Sequence, residues 1–303
     1  MYFMNALPGA VAEGLIWGLM AIGVYISYKI LDIADLTVDG SICTGACVCA
    51  VLLGCGVNVW ICVLAALIAG AIAGTVTGLL HTALGIPSIL AGILTQLMLY
   101  SVNLLILGGR SLVAVDHRAN HVLVHMSDNP SAIVTLGLLV TFVIIALWRF
   151  FYTEVGLTIK STGDNPDMSR AQGVNVKFNK VLGLAIANAI VALAGAMLAQ
   201  YKGSANINDG RGAIVIALAA IFIGLSVSLK IKPNFVCSLI GVIGGGIVYY
   251  IVYNFVILLG LKTDYLKMLS AIIVTLFLAI PYLKAEYFTK QKPVPAAQAK
   301  RGG

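Results

Sequence analysis

The chain has 303 residues, of which 60% are hydrophobic and only 10% charged, and its formal net charge is +7. Soluble domains carry about 25% charged residues, so this composition cannot clothe a water-exposed surface, and lipid is its better solvent. The basic balance does not indicate nucleic acid, because the Lys and Arg lie mainly between apolar runs, where membrane topology is set, and not on a stripe with interleaved aromatics. Apolar segments follow one another from residue 7 to 283. They predict an all-α polytopic membrane protein with one transmembrane domain over 1–288 and a disordered, basic, Pro/Ala-rich cytoplasmic tail over 289–303.

A membrane span needs about 20 mostly apolar residues. In chain order the candidates are 9–29, 40–55, 57–80, 87–107, 132–150, 180–201, 212–229, 234–258 and 265–283, about nine transmembrane helices. The first follows a start, MYFMNALPGAVAEG, that lacks the basic n-region and cleavage site of a secretory signal, and it reads as a retained span. The second is short, bounded by Asp39-Gly40-Ser41 and Gly54-Cys55-Gly56, and reads as half-length or broken. Gly70, Gly74 and Gly78 share one face of the third span, a surface for helix packing or for a dimer contact.

A central Asp, Lys or Arg costs about 2.5–3.5 kcal/mol on the insertion scale, so polar groups at membrane depth are the default site candidates. Gln96 and Asn103 lie seven apart on the fourth span, hence on one face; Asn188 lies within the sixth; Tyr25, with Ser27 and Tyr28, lines the inner part of the first. These four (Gln96, Asn103, Asn188 and Tyr25) are candidates for a substrate path, with interhelical hydrogen bonding as the alternative. Asp32, Asp35 and Asp39 cluster after the first span and read as helix cap and solvated loop. The six cysteines form no CxxC pair and read as small packing residues. His117, His121 and His125 are spaced four apart in the loop 108–131, which would stack them on a helix. Nothing nearby establishes that helix, so a solvated loop is favoured, and no metal is expected.

Orientation follows from Lys and Arg. Thirteen of the 19, including Lys29, the five between Arg149 and Lys180, and those of the tail, fall on one set of segments. The other set holds Arg110, Arg118, Lys202, Arg211, Lys262 and Lys267. The richer set is cytoplasmic, which places the amino terminus outside and the carboxyl terminus inside. Nine crossings agree with that placement.

The longest inward segment, 151–180, contains the turn cluster Ser161-Thr162-Gly163-Asp164-Asn165-Pro166. Asp164 or Asn165 can cap a short helix starting after Pro166, carrying Met168, Arg170 and Ala171 and stopping at Gly173. A short capped helix between two spans is suited to docking in a partner's groove; an ordinary connecting loop is the alternative.

Gly163-Asp164-Asn165-Pro166 with Ala171, Gly173, Val174 and Val176 resembles the cytoplasmic coupling-helix loop of ABC-importer permeases, in the group that includes branched-chain amino acid and ribose permeases. Ala194-Gly195-Ala196 matches the small-residue step that follows in that group, while Asp167-Met168-Ser169 departs from its usual alanines. Gly14 to Gly23, Asp35 to Ser41, and Gly210-Arg211-Gly212 before Ala217 to Gly224 are similar to spans of its uncharacterised members, some thought to serve aromatic amino acids such as tryptophan.

The resemblance implies a permease subunit, paired with a second copy as a homodimer rather than a heterodimer, in the inner or plasma membrane. A cytoplasmic ABC ATPase dimer would grip Gly163, Asp164, Asn165, Pro166, Arg170, Ala171 and Gly173, and an extracytoplasmic binding protein would deliver a small solute such as an amino acid. The sequence has no G-x-x-x-x-G-K-[ST] P-loop. ATP and Mg would therefore be used by the partner, with no cofactor in this chain, and the chain itself is not expected to be an enzyme. A self-sufficient secondary transporter or channel is the alternative; a membrane enzyme would need a catalytic constellation that the residues do not offer.

Overall fold

The computed structural model describes residues 2–115, 122–126, 128–231 and 234–258, together with the isolated positions 268, 271, 272, 275 and 279. Within them the chain is helical almost throughout, as backbone amides in hydrocarbon require. The elements are α1 (Tyr2–Tyr25), running into a π-helical turn (Ile26–Ile30), α2 (Val38–Gly54), α3 (Val59–Thr82), α4 (Ser88–Ile106) and α5 (Asn129–Phe151). There follow α6 (Glu154–Asp164), α7 (Pro166–Ala171), α8 (Val176–Lys202), α9 (Ala213–Ile231) and α10 (Phe235–Leu258). Strands β1 (Leu112–Ala114) and β2 (Ser204–Asn206) pair antiparallel, with Leu112 opposite Asn206.

Six helices among the described residues are long and apolar enough to cross a membrane: Leu7–Ile30, Val59–Thr82, Ser88–Ile106, Asn129–Phe151, Val176–Lys202 and Phe235–Ile257. α2 and α9 are apolar as well. The first eight expected segments each coincide with a helix; the ninth, 265–283, and the tail 289–303 lie almost wholly outside the described residues.

The core is built around α8, in which every residue from Ala187 to Tyr201 is buried. In lipid, apolar packing gives little preference for protein over acyl chain, so close association depends on small residues that let backbones approach. Three neighbours of α8 supply them. A Cβ at Gly70, Gly74 or Gly78 of α3 would strike Asn188, Leu184 or Val181; one at Gly45 of α2 would strike Ala192, and one at Gly23 of α1 the Ala187 carbonyl. The glycine face of α3 is thus used inside the chain, against α8, and is not left free as a dimer contact. On the far side of α1, Gly14 and Gly18 meet Ile247 and Ile243 of α10, and Gly224 of α9 lies against Gly241 of α10.

Two irregular segments reach into this bundle. After the π turn, Asp32 takes a left-handed φ of 54°. Residues 31–37 then run inward with Leu31, Ile33, Asp35 and Thr37 buried. α2 consequently starts inside the bundle, and its 17 residues span only about 25 Å at 1.5 Å per residue, short of a hydrocarbon core of about 30 Å. At the other end of α8, the chain leaves β2 and folds back against α2. Gly210 packs on the Asp39 carbonyl, and its N–H donates to Cys43 Sγ at 3.1 Å. This return places the start of α9 beside the start of α2.

Candidate functional site

A polar cavity of about 340 Å³ lies where α2, α4 and the returning 207–212 segment meet. Asp39, Gly40 and Cys43 line it from α2, Gln96, Leu97, Tyr100 and Asn103 from α4, and Ile207 and Arg211 from the return. Leu97 and Tyr100, exposed 63% and 44%, form its mouth. The seven-residue spacing of Gln96 and Asn103 does put both on one face of α4, and that face is the cavity wall.

Electrostatically the lining is asymmetric. Both oxygens of Asp39 are engaged: Oδ2 accepts the Gly212 N–H at 3.0 Å and Oδ1 the Ile214 N–H at 2.9 Å. It caps the first turn of α9 across 173 residues of chain, with its charge against the positive end of the helix dipole. The expectation that it caps its own helix or sits in a solvated loop is therefore corrected. Arg211 has no salt-bridge partner among the described residues; its guanidinium stands 6.0 Å from the centroid of the Tyr100 ring. Asn103 is only 1% exposed, and its Oδ1 has no hydrogen-bond partner among the described residues. Arg211, Tyr100 and Asp39 were not among the sequence-derived site residues. Their signal, an Arg flanked by two glycines at a span boundary, is local and weak.

The other two path candidates lie elsewhere. Asn188 is wholly buried: its amide nitrogen donates to Asp35 Oδ2 at 2.7 Å and to the Leu184 carbonyl at 3.0 Å, and its oxygen accepts the Ser41 hydroxyl at 2.6 Å. Asp35 Oδ1 also accepts the Thr37 N–H at 2.9 Å, while the Thr37 and Thr77 hydroxyls pair at 2.7 Å. A carboxylate so far from water requires such partners. This network pins the irregular 31–37 segment to α8 and α3; Asp35 is no solvated-loop residue. Tyr25 is 7% exposed in the core of α1, away from the cavity.

At the opposite end of the bundle, α6 and α7 form a helical elbow on the base of α8. Asn165 Oδ1 accepts the Met168 N–H at 3.0 Å, capping α7, with Pro166 in the first turn. Gly173, at φ 82°, closes it: its N–H reaches the Arg170 carbonyl at 3.0 Å and the Val174 N–H the Ser169 carbonyl at 3.1 Å. That is the paired closure of a Schellman motif. Asp164, Asn165, Met168, Arg170, Ala171 and Gly173 are exposed, and Arg170 pairs only with neighbouring Asp167, at 3.5 Å. Gly163 faces inward instead, where a Cβ would strike the Ile30 carbonyl, so it seats the elbow on the π turn.

The expected turn cluster is displaced: Ser161–Asp164 form the last turn of α6, and the break falls at Asn165. α6 itself was hidden from a hydropathy reading, although Thr153 supplies an N-cap by accepting the Gly156 N–H at 3.3 Å. His117 and His121 lie outside the described residues, and no group of three or more His, Cys, Asp or Glu among the described residues could hold a metal.

Long apolar helices around a small-residue core, a polar cavity between them and an exposed, capped elbow at one end fit a helical membrane transport protein. The chain belongs to the family described as the branched-chain amino acid transport system permease component, whose model matches residues 9–278. It is 35% identical to a tyrosine transport system permease protein of Clostridioides difficile over 98% of this chain and 99% of that protein. It is 32% identical to an uncharacterized protein of Rickettsia prowazekii, over 93% of this chain and 99% of the other. The ribose import permease of Escherichia coli is more distant, at 25% over 91% of this chain and 85% of its own length. No solved structure matches. The protein is accordingly a permease subunit of the ABC-importer type, and a transport component rather than an enzyme.

Proposed function

We propose that this subunit works as one of two copies in an importer that carries an amino acid, an aromatic one first among them, driven by a partner ATPase dimer and supplied by an extracytoplasmic binding protein. The amino terminus lies outside and the carboxyl terminus in the cytoplasm of a cell membrane crossed nine times. Support for the energy input comes from one observation: a capped, exposed two-helix elbow, α6–α7, rigidly seated on the central helix α8. A push on α7 is passed to α8 through Ser169–Ser161 and Asn179–Thr162 hydrogen bonds of 3.3 and 3.1 Å. The tyrosine transport relative supports the substrate class.

The test is copurification with reconstitution. An ATPase should come through purification with the wild-type chain, and ATP should drive amino acid uptake. Gly173→Trp should keep the fold but uncouple uptake. Gly173→Ala carries the same left-handed strain, about 1–2 kcal/mol, without the bulk, and should retain more activity. Uptake that persists without any ATPase, driven by a proton or sodium gradient, would overturn the proposal in favour of a secondary transporter.

A further inference from the structure

The described cavities fall into two kinds. Those of about 920 and 370 Å³ are lined almost wholly by apolar side chains on helix flanks, a fit for acyl chains. The cavity between α2, α4 and the 207–212 return is different. At about 340 Å³ it matches the lower end of small-molecule sites, roughly 300–1,000 Å³.

Its chemistry is that of an incomplete set of pairs. The Asn103 oxygen is an acceptor without a donor among the described residues, although the residue is 1% exposed; buried polar atoms are nearly always satisfied, so this oxygen calls for a donor in the cavity. Arg211 is an exposed cation with no salt-bridge partner among the described residues; of the two carboxylates near it, Asp39 accepts the Gly212 and Ile214 amides and Asp209 faces Lys202 at 3.9 Å. The Gln96 side chain makes no hydrogen bond among the described residues, and the Tyr100 ring presents its face at the mouth. A donor-rich cation and a carboxylate on one small molecule, with an adjacent ring to stack, would complete all of these.

We propose that this cavity is a substrate subsite within the permease for a free α-amino acid: Arg211 takes the α-carboxylate, Asn103 Oδ1 with Gln96 takes the α-ammonium, and Tyr100 packs on the side chain. The subsite rests on the amino acid reading above. A guanidinium suits this task because its planar fork matches a carboxylate bidentately. Asp39 contributes as a positioning residue, holding the return that carries Arg211 against α2.

The experiment uses the full chain with its copurifying partners in lipid nanodiscs, carrying Cys55→Ser and Cys237→Ser to remove the more accessible native thiols and Leu97→Cys as a reporter at the mouth, with the same chain lacking Leu97→Cys as the blank for Cys43 in the cavity wall. The rate of modification by a water-soluble methanethiosulfonate is read with and without L-tyrosine, tyramine or 3-(4-hydroxyphenyl)propionate. L-tyrosine should slow the reaction. Tyramine, lacking the carboxylate, and the propionate, lacking the ammonium, should each bind about tenfold more weakly, the loss of one charge-assisted contact. Arg211→Gln should remove the distinction between L-tyrosine and tyramine, and Arg211→Lys should restore part of it. Size-exclusion profile and melting temperature establish that each variant is folded.

Equal protection by all three compounds, no protection, or an unreactive Leu97→Cys reporter would overturn the subsite. Uptake of labelled amino acids by cells expressing the whole system separates the two levels. A system that takes up an amino acid which gives no protection leaves the transport reading intact and sinks the subsite; one that takes up no amino acid sinks both.

Discussion

Asp35 and Asn188 join an irregular segment to the central helix through a buried hydrogen bond of 2.7 Å. Asn188→Leu would leave the buried carboxylate with one donor fewer and Ser41 without its acceptor. Charged-group hydrogen bonds are worth about 1.5–3 kcal/mol, and an orphaned buried charge costs about 3–5 kcal/mol. The variant should melt well below wild type in detergent, measured by thermal unfolding of the purified subunit. Adding Asp35→Asn should recover part of the loss, since a neutral amide tolerates the vacancy better than a carboxylate. If the double variant is no more stable than Asn188→Leu, the charge is not the cause. From sequence, Asn188 and Asn103 looked alike: both are lone amides in apolar helices. One is fully satisfied and the other not, and only the neighbouring chains distinguish them.

For helices, the decisive question is which face meets which. Gly74 lies where a side chain would strike the Leu184 carbonyl of α8, whereas Gly137 of α5 has open space around it. Gly74→Leu should therefore abolish accumulation of folded protein in the membrane, while Gly137→Leu should accumulate normally; quantitative membrane immunoblots with a melting assay compare them. The glycine spacing was legible in the sequence as a packing stripe, but its partner was not, because a stripe fits a neighbour in the same chain as well as a second copy. For α7 the reverse holds. Asn165, Pro166 and Gly173 act within a few residues of themselves, so start and stop could be read directly. Asn165→Ala should cost about 1 kcal/mol of cap stability, seen as faster amide hydrogen exchange confined to α7 and its flanks. Protection unchanged by that substitution would mean the elbow is held by its packing on α8 and not by its cap.

Across the whole molecule, the bundle has two distinct ends. One carries α6 and α7; the other carries β1, β2, and the turn between α2 and α3 with exposed Cys55. On the proposed topology a membrane-impermeant maleimide should label Cys55 in intact cells, and Met168→Cys in a Cys55→Ser background only after permeabilisation. The opposite pattern would invert the topology while leaving the helix packing as described.

Hydropathy, charge distribution and cap chemistry are local properties, written within about 20 residues of one another. They sufficed to identify a lipid-embedded helical protein, to outline the first eight helices, and to mark the elbow at Asn165–Gly173. Tertiary structure decided what local pattern cannot: that Gly70, Gly74 and Gly78 face α8, that Asp35 is buried, and that Arg211 joins Gln96 and Asn103 around one cavity. The reason is chain separation. Asp39 meets Gly212 across 173 residues and Asp35 meets Asn188 across 153, and no spacing rule along the sequence reaches that far.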